Sequence, residues 1–187
     1  MKVSREQATR NREKVVDAAS RLFRARGVDG VAIGEVMREC GLTHGGFYNQ
    51  FASKDGLAVE ACARSLMRSA ERWRGIVAET SEGNALHAIA ADYLSGRNRD
   101  APETGCALIA LGPDAARKGG DLADAFRHGF EALAAILEEA DQEGGQEAAL
   151  ARMSQWVGAL SLARAVGDPA LSDQLLSAAR KAAGLAA

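Results

Sequence analysis

Apolar residues recur along this chain at intervals of three and four, with polar faces between them, so the pattern predicts helices from end to end. From about Glu6 to Arg26, Val15, Ala18, Ala19, Leu22 and Phe23 form one stripe; Arg10, Arg12, Arg21 and Arg24 lie on the other face, and Gly27 is the stop. A short helix over Ile33–Cys40 turns Ile33, Val36, Met37 and Cys40 inward and ends at Gly41. A second short helix, Thr43–Phe51, starts at once with Thr43 as its cap. Ser53 caps a longer one, from about Lys54 to Thr80, whose inward positions are Leu57, Ala61, Leu66, Met67, Ala70 and Trp73. After a break at 81–84, further helices are predicted at about Ala85–Ser95, Cys106–Lys118, Leu122–Gln142, Ala148–Val166 and Pro169–Ala183. The polar stretch GRNRDAPETG, residues 96–105, reads as a loop, and EGGQ, residues 143–146, as a break. Pro113 is expected to bend or split its helix, Gly119-Gly120 to end it, and Asp168-Pro169 to cap and open the last one. With β-branched residues sparse and only three prolines, the fold class is all-α.

Composition narrows the function classes. No apolar run approaches a membrane span and the first residues, MKVSREQATRNREK, are too polar for a secretory signal, so a cytoplasmic protein without a membrane partner is expected. Cys40, Cys62 and Cys106 are an odd number without CxxC spacing, which supports neither a disulfide framework nor a zinc site. His44, His87 and His128 lack the i, i+4 partner of a helical metal site, so no metal or cofactor is expected. Cys106 with His87 or His128 as base lacks an acid to complete a catalytic constellation, and no enzyme is predicted. The formal charge of −2 conceals an asymmetry. Residues 1–54 carry ten basic against six acidic side chains, +4, and the rest 13 against 19, −6. A basic head on an acidic body points the head at a polyanion.

The stretch GLTHGGFYNQFASKDGL, residues 41–57, places three aromatics beside the adjacent Gly45 and Gly46 in a chain that is only 5% aromatic. Two short helices joined at Gly41-Leu42-Thr43 fit a helix-turn-helix, whose second helix enters the DNA major groove. Phe47 and Phe51, four apart, face the core, and Tyr48, Asn49 and Gln50 point elsewhere with hydrogen-bonding groups. Gly45 and Gly46 weaken the helix by about 1 kcal/mol each relative to Ala but let a phosphate or base edge come close. Lys54, at the next helix start, suits a phosphate.

On VAIGEVMRECGLTHGGFYNQFASKDGL, residues 31–57, and the preceding VVDAASRLFRARGVDG, residues 15–30, the chain resembles the tetracycline-repressor (TetR/AcrR) family of bacterial transcriptional regulators. Gly41, Gly45, Tyr48, Phe51, Ser53, Lys54 and Leu57 fall at the family's spacing. The resemblance implies a DNA-binding domain over residues 1–53 and a helical effector-binding and dimerisation domain over 54–187. It further implies a homodimer on a palindromic double-stranded DNA operator, usually repressing and released by a small-molecule effector. Thr43, His44, Gly45, Gly46, Tyr48, Asn49 and Gln50 then fall where family members touch DNA, and Lys54 where they grip a phosphate. Ala32, Gly34 and Gly46 depart from the family's usual polar residues, so the helix before the turn contributes little to operator contact.

In the body, effector-pocket candidates are Leu66, Trp73, Leu94, Ile109, Phe126, Phe130 and Trp156, large apolar side chains for which plain core packing is the competing reading. Cys106 opens a helix, where exposed N–H groups lower a thiol's pKa; it is either a redox or electrophile sensor or a small buried residue. The last two helices align Met153, Trp156, Val157, Leu160 and Ala163 with Leu171, Leu175 and Ala178. By resemblance these form a dimer seam; burial inside one subunit gives the same periodicity. A different function class also stays open, a helical redox or small-molecule sensor acting through protein partners.

Overall fold

A computed structural model describes residues 4–81, 83–141 and 144–185. Residues 1–3, Glu82 of the predicted break, and Gln142 and Glu143 after the seventh helix lie outside the described residues.

The head begins with α1, Arg5–Arg26, where the Ser4 hydroxyl accepts from Gln7 N–H at 3.1 Å and Gly27, at φ 72°, ends the helix by donating to the Phe23 carbonyl at 2.8 Å. Then comes α2, Ile33–Glu39, with Ala32 in the cap position and no side-chain cap bond. The segment predicted as a helix over Thr43–Phe51 is instead a tight 3₁₀ helix, His44–Asn49. Thr43 occupies its cap position, but the hydroxyl makes no cap bond. Two adjacent glycines remove helix propensity, and the tighter i→i+3 winding serves for so short a run.

The body is entered by α3, Lys54–Glu79, with Gly56 N–H donating to the Ser53 hydroxyl at 3.0 Å as its cap predicts. Met67, placed inward by the sequence pattern, is instead half exposed, at the groove between α3 and the seventh helix. After α4, Ala85–Tyr93, the predicted loop contains a short helix, α5, Gly96–Asp100. Ser95 caps it by accepting from Asn98 N–H at 3.2 Å, a polar signal that reads equally as a loop. The helix α6, Ala107–Lys118, runs through Pro113 without dividing, with that proline on its exposed side. The helices α7, Gly120–Ala140, α8, Gly145–Ala165, and α9, Pro169–Ala182, complete the fold. Asp168 caps α9 as predicted, its carboxylate accepting from Leu171 N–H at 2.8 Å.

The centre of the body is α3 laid along α7, with α8 against α7 and α9 against α8. The head docks by packing α1 on both α3 and α6. One continuous core runs from Val15, Phe23 and Phe47 through Leu57, Leu66 and Trp73 to Leu137, Met153 and Trp156.

Candidate nucleic-acid interface and body cavity

The turn before the 3₁₀ helix is built by Gly41 at φ 70°, which donates to the Arg38 carbonyl at 3.0 Å while Leu42 N–H reaches the Met37 carbonyl at 2.9 Å. That paired closure needs a left-handed residue, which glycine supplies without a Cβ penalty. Phe47 and Phe51 then stack inside the head, centroids 5.3 Å apart. The Arg12 guanidinium lies over the Phe51 ring at 4.6 Å and donates to both carboxylate oxygens of Glu60 at 2.5 Å. With the two phenylalanines locked inward, the opposite edge faces solvent. Tyr48 is 62% exposed, with its ring edge-on to Phe47 at 5.2 Å and stacked on His44 at 6.3 Å. Thr43, Gly45 and Asn49 are exposed beside it, and Gly46 and Lys54 are half-buried. A Cβ at Gly45 would meet nothing within 4 Å, and at Gly46 only ordinary contacts, so no neighbour in the chain demands either glycine. Gln50 departs from its predicted outward direction: its side-chain carbonyl oxygen is buried without a partner among the described residues.

The arginine face of α1 is not the free basic surface its sequence predicts. Arg10 pairs with Glu6, Arg12 with Glu60 and Arg21 with Glu39. Arg24 is buried, its Nε donating to the Ser20 carbonyl at 3.0 Å and its Nη1 to the Gly105 carbonyl at 3.3 Å. Among the described residues, the head's cations without an ion-pair partner are, besides the buried Arg24, Arg5, Lys14, Arg38 and Lys54, and Lys54 adjoins the Tyr48 edge in sequence.

In the body a cavity of about 140 Å³ opens between α3, α4 and α7, with Trp73, Tyr93, Leu133, Gly105 and Cys106 in its wall. Of the predicted pocket residues it contains Trp73 and Cys106. Leu66 lies under a separate apolar groove between α3 and α7, together with Met67 and Gly129. Leu94 and Trp156 are buried core residues, and Ile109, Phe126 and Phe130 are half-buried against that core. Tyr93 was not singled out by the sequence, yet it organises the cavity wall: its ring lies 5.9 Å from Trp73 and 6.1 Å from Trp156, and its hydroxyl donates to Cys106 Sγ at 2.9 Å. Asp92, Arg72 and Arg97 at the mouth were likewise missed, because residues far apart in sequence carry no shared periodic signal.

Cys106 sits at the α6 cap position as predicted, but its thiol is not activated there. Burial pushes its pKa up, outweighing the Tyr93 hydroxyl and the Ile109 and Leu108 N–H groups, which pull it down. Of the residues expected at a dimer seam, Met153, Trp156, Leu160 and Ala163 are already buried within the subunit, Trp156 beside Tyr93 of α4 and Ala163 against Ser172 of α9. Val157 and Leu175 are half-buried, and Leu171 and Ala178 are exposed. Among the described residues, no three His, Cys, Asp or Glu side chains gather where they could hold a metal ion, and no helix is long and apolar enough to cross a membrane.

Residues 15–61 match the family profile of bacterial regulatory proteins of the tetR family. Over 65 residues the chain is 32% identical to the HTH-type transcriptional regulator YerO of Bacillus subtilis, a match covering 35% of this chain and 22% of that protein. Over 136 residues it is 24% identical to the HTH-type transcriptional repressor NemR of Escherichia coli, covering 71% of this chain and 68% of that one. The reduced form of E. coli NemR superposes with a TM-score of 0.77 at 20% identity, over 95% of this chain and 97% of that one. A TetR transcriptional regulator from Chloroflexus aurantiacus gives 0.79 at 21% identity, over 94% and 95%. These relatives are transcriptional regulators, which favours DNA over protein partners as the target of the head. An aromatic edge on a helix-turn-helix head, a wholly helical described body and the profile match converge: residues 15–61 carry the DNA-binding head of the tetR family of bacterial regulatory proteins, the chain shares the fold of solved tetR-type regulators, and it is a DNA-binding transcriptional regulator.

Proposed function

We propose that this protein is a repressor that grips a palindromic operator as a homodimer and lets go when a small molecule enters the body. Residues 1–53 act as the reading head and 54–187 as the effector and dimer body. The observation that carries the reading is the solvent-facing edge of Tyr48, His44 and Asn49, held in place by the buried Phe47–Phe51 stack. Thr43, Gly45 and Gly46 let the backbone approach a phosphate, Lys54 supplies a cation, and Gln50 contributes through its amide N–H groups after its inward oxygen is counted out.

Repression is supported by the likeness to NemR, a transcriptional repressor. NemR is also known in a reduced form, which supports a redox-sensitive regulation here. Cys106 is the candidate thiol, and it must be uncovered before it reacts. Dimerisation is supported by α8, which is apolar on two sides. Met153 and Trp156 fill the subunit core while Leu162, 55% exposed, stands with Leu171 of α9 on the outside. Such a surface is what a second copy covers in a two-fold reader.

DNA binding by the purified protein to duplexes selected from a random pool tests the head. Affinity falls as salt rises, with a log–log slope of about −0.9 per phosphate contact, and Tyr48→Ala weakens binding while leaving the fold's helicity unchanged. Undiminished affinity in Tyr48→Ala excludes the docking edge.

A further inference from the structure

The hydrogen-bonding groups around the body cavity are unevenly occupied. Its one charged acceptor is taken. The Asp92 carboxylate receives Arg72 Nε at 2.8 Å, Arg72 Nη2, and Arg97 Nη2 at 2.7 Å. The small polar groups turn back on their own backbone. Ser69 donates to the Ser65 carbonyl at 3.1 Å, and the Asn98 amide to the Tyr93 carbonyl at 2.8 Å. Donors are in surplus. A guanidinium carries five N–H groups in a fixed fork, and among the described residues Arg72 and Arg97 bond only to Asp92, which leaves the trio at +1.

Two further guanidiniums reinforce that sign. Arg24 donates to the Gly105 carbonyl, and Arg164 donates to the Asn98 carbonyl at 2.5 Å and presses against Gly105, where a Cβ would collide with it. Beside these charged groups the lining has an apolar and aromatic part, made by Trp73, Leu133 and the Tyr93 ring. The volume, about 140 Å³, is close to the roughly 150 Å³ in which an apolar cavity accommodates a benzene ring.

Donor surplus, positive charge and one ring's worth of apolar wall together select one ligand chemistry. We propose that the cavity binds a small monocarboxylate, its acid group on the free N–H groups of Arg72 and Arg97 and its hydrocarbon part against Trp73 and Leu133. Planar guanidinium forks suit a carboxylate better than a neutral carbonyl, because both oxygens accept and the bonds are charge-assisted. The inference rests on the reading of this cavity as the effector site.

Calorimetric titration of the DNA-free protein with benzoate, butanoate and hexanoate tests it, with benzamide and benzylamine as controls of matched size. At least one acid binds, the amide binds at least about tenfold more weakly than benzoate, and benzylamine does not bind. Arg97→Gln, at a largely exposed position, and Arg72→Gln each weaken the acid by at least about tenfold and leave melting behaviour intact. Three outcomes overturn the proposal: no heat with any acid, benzamide binding as tightly as benzoate, or both arginine variants binding as wild type. Acid binding without any loss of operator affinity upholds the carboxylate site and removes the effector role alone.

Discussion

At Cys106 two influences oppose each other. The helix start and the Tyr93 hydroxyl favour the thiolate, while near-complete burial favours the thiol and prevails. For an acid the sign follows directly: a raised pKa leaves Cys106 protonated at neutral pH, and thiolate accumulates only as pH rises beyond the ordinary thiol value of 9.0. Release of operator DNA by benzoquinone is therefore slow at neutral pH, quickens as the medium becomes alkaline, and disappears in Cys106→Ser. A fluorescence-anisotropy time course reads this, and equal release in the variant removes the thiol from the mechanism. Helix position, visible in the sequence, suggested a reactive group; the burial that cancels it arises only when the helices pack around Cys106.

Among the elements, α6 runs from the cavity to the head, which it meets beside α3. Its cap residue Cys106 lines the cavity, and at mid-length the buried Asp114 carboxylate accepts from Val28 N–H at 2.9 Å and pairs with Arg117 at 2.7 Å. At its end Lys118 bridges Asp29 at 3.0 Å and Asp55 at 3.4 Å. Asp114→Ala leaves the Val28 N–H buried without its acceptor, a loss of about 1–3 kcal/mol. Asp114→Asn keeps an acceptor and loses less. Urea melts of the two variants check the order; equal stability of Asp114→Ala and wild type excludes the latch. Helix existence was legible at this scale because capping and stop chemistry is local: Ser53, Asp168, Gly27 and Gly41 mark boundaries the structure keeps. The 3₁₀ winding of His44–Asn49 and the helix at Gly96–Asp100 were not, since runs of six and five residues are too short for a periodic signal.

For the whole molecule, the decisive feature is which side of α8 and α9 is left uncovered. Leu162→Glu or Leu171→Glu puts a charge into the proposed seam, so light scattering shows a monomer and operator affinity falls by about tenfold or more, with the melt nearly unchanged. Leu160→Ala acts differently, costing about 2–5 kcal/mol of stability from a fully buried site. A dimer that survives both glutamate variants places the seam elsewhere.

Read alone, the amino-acid order determined the helical class, the helix-turn-helix head and the inward pair Phe47 and Phe51, because propensity, capping and i, i+4 spacing act between near neighbours. Tertiary structure alone decided that Arg12 and Arg21 of α1 are paired and Arg24 is buried, that Met153, Trp156 and Leu160 serve the subunit core, and that Arg72, Asp92 and Arg97 meet at one cavity mouth. Each of those outcomes depends on which helix faces which, and one helix's periodicity records only that it has an apolar side, not what covers it.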